Sequence, residues 1–266
     1  MNDPHGSLCD AMKQLVSRQL AIVFWVSAMA SLTRAGPPFR TDDPKPVEYQ
    51  NWEVYMASQM AGDSEGWSGT APHVEMNYGA FPNLQLHIIA PLSFVAPAHG
   101  SARFGYGDTE VGVKYRFVEE AIWRPQIGAF PQMELPTGDS ERNLGNGYTQ
   151  LFLPLWIQKS WDLWTSYGGG GYLVNPGAEN LDWWFFGWLL QYQLFSCLAV
   201  GAEVFHETVK EAGGDSDTHV NMGAIFDFNE RFHLLLSAGS AVQGPRQFQG
   251  YIGLQWTWGP DKPDDD

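Results

Sequence analysis

The sequence predicts an all-β chain: one antiparallel, up-and-down transmembrane β-barrel of about twelve strands. Three observations predict it. Segments of about ten residues with alternating polarity recur between residues 51 and 258, separated by Gly, Asn, Asp and Pro. The connections between them alternate between short and long, as expected of a barrel with tight turns on one rim and loops on the other. The composition is strand-like, with 14% aromatics, 12 Trp and 29 Gly, while charged residues are only 17%, below the roughly 25% usual in soluble domains.

The first element in order is an address. Lys13 and Arg18 precede the apolar run 20–32 (LAIVFWVSAMASL), and Thr33-Arg34-Ala35 supplies small residues where a signal peptidase cuts. The run is shorter than the roughly 18–20 residues a spanning helix needs, so residues 1–35 are expected to be an N-terminal extension and signal peptide. Residues 36–50 follow, Pro-rich and carrying Arg40, Asp42 and Asp43. They are expected to be either a periplasmic leader or a plug of the barrel mouth, and composition does not choose between them.

The strands come next. Alternation places them at 51–61, 70–80, 84–95, 107–118, 122–136, 147–158, 161–173, 181–195, 197–208, 218–229, 231–240 and 247–258. In the fourth, Val111, Val113, Tyr115 and Phe117 share one face and Asp108, Glu110, Lys114 and Arg116 the other. Tight turns are expected near Pro82-Asn83, Glu119-Glu120, Lys159-Ser160, Ser196 and Glu230. Longer loops are expected at 62–69, 96–106, 137–146, 174–180, 209–217 and 241–246.

The stretch LDWWFFGWLLQYQLFSCLAV (181–200) looks at first like a membrane helix. Asp182, Gln191 and Gln193 interrupt it, and clustered bulky aromatics suit strands better. It reads as one strand, a turn near Ser196 and the start of the next, its aromatics serving an outward face and interfacial girdles. Gly168–Gly171 lacks the Lys-Ser/Thr and helix of a phosphate loop, so close packing or a bend inside the barrel explains it better. The acidic tail 259–266 follows the barrel (51–258).

With the strands placed, the opening GPPF-TDDP-P-V pattern (Gly36 to Val47), followed by Asn51-Trp52-Glu53-Val54-Tyr55, becomes recognisable. It resembles the start of the MetA-pathway of phenol degradation family of outer-membrane transporter barrels, and the likeness continues diffusely to Gly253–Trp256. Trp258 resembles the terminal aromatic such barrels usually carry, although eight further residues follow it here. The resemblance implies a barrel associated with passage of aromatic or other hydrophobic compounds. It carries over no catalytic or binding residue.

Candidate chemistry therefore rests on the inward face. Glu53, Glu75, His87, Asp108, Glu110, Lys114, Arg116, Arg124, Glu134, Glu203 and Asp227 are the lumen and selectivity candidates, and Arg40, Asp42 and Asp43 are the plug candidates. They would form either a charged constriction or a lumen that neutralises itself through ion pairs. About twelve strands implies a narrow lumen, between barrels that side chains fill and barrels that leave open channels.

His99-Gly100-Ser101 has a spacing used by some barrel lipases, but no orienting carboxylate lies nearby in sequence, so no catalytic residues are expected. Loop carboxylates Asp139, Glu141, Asp215 and Asp217 are candidates for cation bridges to lipopolysaccharide phosphates. No metal site or cofactor is otherwise expected.

The formal net charge of -15 argues against nucleic acid, which needs clustered Lys and Arg. The expected location is the cell outer membrane with both termini periplasmic. The expected partners are outer-membrane lipid and lipopolysaccharide, the barrel assembly machinery, and a small hydrophobic or aromatic solute. The expected function is an outer-membrane channel for passive uptake of such compounds. The alternatives are an outer-membrane lipid hydrolase and a structural or adhesion barrel without an open lumen.

Overall fold

A computed structural model of the chain describes residues 37–260 together with Met12 and Lys13. The expected signal peptide, apart from those two residues, and the tail from residue 261 lie outside the described residues.

Fourteen strand pieces build one sheet: β1 (Trp52–Asp63), β2 (Gly66–Phe81), β3 (Leu84–Pro97), β4 (Arg103–Tyr106), β5 (Thr109–Val118), β6 (Gln126–Ala129), β7 (Gln132–Leu135), β8 (Gln150–Trp161), β9 (Trp164–Val174), β10 (Trp183–Phe195), β11 (Leu198–Glu207), β12 (Asp217–Asn229), β13 (Phe232–Gln243) and β14 (Phe248–Trp258). β4 and β5 both pair with β3, and β6 and β7 both pair with β8 and with β5, so each couple is one interrupted stave. The result is a closed antiparallel barrel of 12 staves. Closure joins first to last, from Trp52↔Trp258 to Gly62↔Phe248. No edge is left to expose unpaired backbone groups, which is what a sheet in hydrocarbon requires.

The second interruption has a local cause. Pro131 cannot donate to the ladder, and Pro154 sits beside it on β8. The ladder resumes irregularly, with Val113 N donating to Pro131 O at 3.1 Å and Phe130 N to Pro154 O at 3.4 Å. Phe130 is thereby turned into the interior, where it is buried.

Short connections cluster on one rim: 82–83, 162–163, 196–197 and 230–231. Asn83 and Asp162 adopt left-handed backbone there, with φ of 64 and 50. Both barrel ends, Trp52 and Trp258, lie on this tight-turn rim, and most long loops lie on the other.

Three boundaries differ from expectation. The loop expected at 62–69 is a two-residue turn, because Asp63 accepts from the amides of Glu65 (2.7 Å) and Gly66 (3.2 Å), and the strands run on to meet it. The turn expected at Lys159-Ser160 falls at 162–163, and the Lys159 ammonium reaches Glu120 instead, at 2.5 Å. The connection near Glu119-Glu120 is long. It runs to Pro125, which delays the next strand to Gln126, and it leaves Ile122 and Trp123 fully exposed.

Strand alternation sorts the side chains as the period of two requires. On β10, Trp184, Phe186, Trp188 and Leu190 face outward while Trp183, Phe185, Gly187, Leu189 and Gln191 are buried. Outward rings gather at two heights. Trp52 lies 4.5 Å from Tyr78 and 6.4 Å from Trp258 near the tight turns, whereas Trp67–Phe248 and Tyr172–Trp184 pair near the loops. An apolar outer band between two aromatic girdles is the surface a lipid bilayer selects.

The run of four glycines lies under rings. A Cβ on Gly168 would meet Trp188 at 2.5 Å, one on Gly170 would meet Phe186 at 2.7 Å, and one on Gly171 would meet Phe152 at 2.6 Å.

Candidate functional site

Residues 37–47 lie inside the barrel, and the strands are built to hold them. Glu203 on β11 accepts from the backbone amides of both Arg40 (3.3 Å) and Thr41, and its other bond comes from Asn221 Nδ2 at 2.8 Å. The Arg40 guanidinium reaches Glu207 at 3.1 Å. Ser237 donates to Pro38 O at 2.5 Å, and Val47 N donates to Gln85 Oε1 at 2.9 Å. Lys114 on β5 binds Asp42 at 2.9 Å and approaches Asp43 at 3.7 Å, and its ammonium lies 4.8 Å from the centre of the Phe130 ring.

Glycines clear the path for this segment. A Cβ on Gly201 or Gly223 would come within 2.8 or 2.6 Å of the Phe39 ring, and one on Gly187 within 2.1 Å of Thr41 Oγ1. Thr41 and Asp43 are accordingly fully buried.

The segment separates two cavities. The smaller, about 110 Å³, lies toward the tight-turn rim and includes Asp43, Lys45, Glu53, Asn77 and Lys114 in its lining. The larger, about 340 Å³, has two kinds of wall. Phe39, Phe130, Phe152, Trp156, Trp183 and Phe185 form one, and Arg40, Asp42, Glu75, His87, Glu110 and Glu134 belong to the other. The rings pack edge to face, with Trp156 6.0 Å and Phe152 6.2 Å from Phe185, a favourable geometry for aromatic quadrupoles.

Of the sequence candidates, Glu75, His87, Lys114 and Glu203 are buried in the lumen, and Glu110 and Glu134 line the large cavity. His87 lies between two carboxylates, its Nε2 2.9 Å from Glu110 and its Nδ1 3.6 Å from Glu75. Glu53 accepts from Tyr55 Oη at 2.6 Å.

Asp108 is buried near the loop rim. Its Oδ1 accepts from Gly138 N at 2.8 Å and its Oδ2 from Asn146 N, so it ties down the 136–149 loop. Arg116 is at the tight-turn rim, bonded to Asn83 and Gln126. Asp227 pairs there with His233.

Arg124 is a correction. It sits exposed in the 119–125 connection, donating to Glu119 O at 3.0 Å, because Pro125 ends that loop before the strand begins.

At the loop rim, Asp182 accepts from Asn175 N at 2.8 Å and Tyr172 Oη at 2.7 Å, and these bonds hold its carboxyl below the usual range. Asp139 caps the short 140–142 turn by accepting from Arg142 N, and Asp217 lies 3.6 Å from Lys210. His99 and Ser101 are exposed, and no hydrogen bond joins them among the described residues.

The aromatic wall is what reading the sequence missed. The aromatics of 181–200 are expected on an outward face and girdles, yet Trp183 and Phe185 point inward. The signal was in the phase of the strand, since both share parity with Gln191, and Phe152 and Trp156 share parity with Gln158 on β8. A buried glutamine marks the inner face, and every second residue must then join it.

Comparison with known proteins adds the fold. No family model matches the chain, and no curated protein matches it by sequence. Among solved structures, it is similar to the COG4313 outer membrane channel from Pseudomonas putida F1 (TM-score 0.67, 14% identity, 85% of this chain and 100% of that one). It is also similar to the KdgM porin (TM-score 0.56, 12% identity, 77% and 99%) and to the translocator domain of the autotransporter NalP from Neisseria meningitidis (TM-score 0.52, 12% identity, 95% and 95%). At such identities the likeness is one of fold.

Proposed function

We propose that the protein is an outer-membrane channel for passive uptake of small hydrophobic or aromatic compounds. The observation that carries this reading is the aromatic-walled cavity of about 340 Å³ enclosed by the barrel. The rings form one buried cluster with Phe205, and the faces they turn to the cavity give it an apolar wall inside an otherwise polar lumen. A concave site of this size that sets an aromatic wall against convergent polar groups suits a small organic molecule. The structural likeness to an outer membrane channel and a porin, together with the sequence resemblance to the phenol-degradation transporter family, supports the same reading.

In this reading the loop rim faces outward, and both barrel ends lie with the tight turns on the periplasmic side. The outer band meets lipid and lipopolysaccharide, and the assembly machinery inserts the barrel. Catalysis has no part in the reading, since His99 and Ser101 share no hydrogen bond and sit in an exposed loop.

The test is ion conductance of the refolded protein in a planar bilayer, with and without phenol. Discrete steps that phenol reduces are expected. Silence from protein shown to be folded, even after the lumen segment is released, overturns the reading.

A further inference from the structure

The large cavity is charged as well as aromatic, and its charge is one-sided. Asp42, Glu75, Glu110 and Glu134 face Arg40 and His87 across it. Arg40 is committed to Glu207, and Asp42 to Lys114. Glu110 and Glu134 are direct register partners on β5 and β7. Like charges opposite each other on neighbouring strands repel, and chains avoid the arrangement unless something offsets it. Glu110 has His87 at 2.9 Å and accepts from Gln132 at 2.7 Å. Glu134 accepts only from Asn146 Nδ2, at 3.1 Å, and among the described residues no cation lies within ion-pair distance of it.

A second observation comes from the opposite wall. Trp156 is 1% exposed and lines the same cavity, and its Nε1 has no hydrogen-bond partner among the described residues. A buried donor left unpaired is costly, so such groups generally meet an acceptor. The cavity therefore offers aromatic surface and a pair of facing carboxyl groups, of which Glu110 has His87 and Glu134 has no cationic partner among the described residues.

We propose that this cavity selects aromatic molecules bearing a cationic amine, and rejects carboxylates of the same size. The ring lies against Phe152, Trp156 and Phe185, and the ammonium sits between Glu110 and Glu134, offsetting their repulsion. An anionic head placed there meets two carboxylates and loses its hydration without compensation. This rests on the lumen being a route for small organic molecules and names the class it favours.

The test is calorimetric titration of the folded, detergent-solubilised protein with three probes of matched size: 2-phenylethylamine, 2-phenylethanol and phenylacetate. The amine is expected to bind at least about tenfold more tightly than the carboxylate, with the alcohol between them. Glu134→Gln is expected to bring amine and alcohol affinities together, and Glu110→Gln does the same if that variant folds better. Equal binding of all three probes overturns the selectivity while leaving the channel reading intact, because conductance is measured separately. An amine preference that survives both Gln variants also overturns it, since the preference would then arise elsewhere. Failure of all three to bind, in protein that conducts, sinks the cavity as a site but not the channel.

Discussion

Glu203 shows how much one side chain settles in this molecule. It is buried in the middle of the lumen and spends its acceptor capacity on two consecutive backbone amides, Arg40 and Thr41, plus Asn221. Removing it leaves buried amides unsatisfied, at a cost of about 1–3 kcal/mol each. Glu203→Ala is therefore expected to loosen residues 37–50 and raise single-channel conductance above that of the native protein. Unchanged conductance in a variant with normal folded gel mobility would show that the segment is held by other contacts. The sequence placed Glu203 on the inner face through its alternation, but it could not show that its partner was backbone 162 residues away.

At the scale of the strand, β9 illustrates why glycines can be structural rather than catalytic. Gly169 has a φ of 155, and a Cβ there would lie 2.0 Å from Leu155 O, with the Trp156 ring at 3.0 Å. The backbone of β8 cannot yield without breaking the ladder that runs from Leu151↔Val174 to Trp161↔Trp164. Gly169→Val is expected to lower stability by about 1–3 kcal/mol through strain and overpacking. The check is the urea midpoint of the folded protein in vesicles, and an unaltered midpoint would refute the account. Strand boundaries were legible where polarity alternated cleanly and Gly, Asn or Asp marked the turn, as at 82–83 and 230–231. They are not legible where a side chain decides the turn, as Asp63 does at 64–65.

At the scale of the whole molecule, the barrel and the lumen segment are separable in principle. The ladder closes through β1 and β14 without any bond from residues 37–48. Deletion of residues 37–47 is expected to preserve heat-modifiable gel mobility while multiplying conductance. Loss of the folded band instead would mean that the segment is part of the core, because Lys114 and Glu203 would be left as buried charges with fewer partners.

The sequence by itself determined the all-β class, the number and order of staves and the inward placement of most of the charges. Each of these follows from local periodicity, because the side chains of a strand must alternate whatever lies across the barrel. Only the tertiary structure decided that residues 37–47 occupy the lumen, that Phe152, Trp156, Trp183 and Phe185 turn inward to form one wall, and that Glu110 faces Glu134. Those outcomes depend on closure. Residues far apart in the chain become neighbours only when the first and last strands pair and fix a lumen, and no local pattern encodes which side chains will then share it.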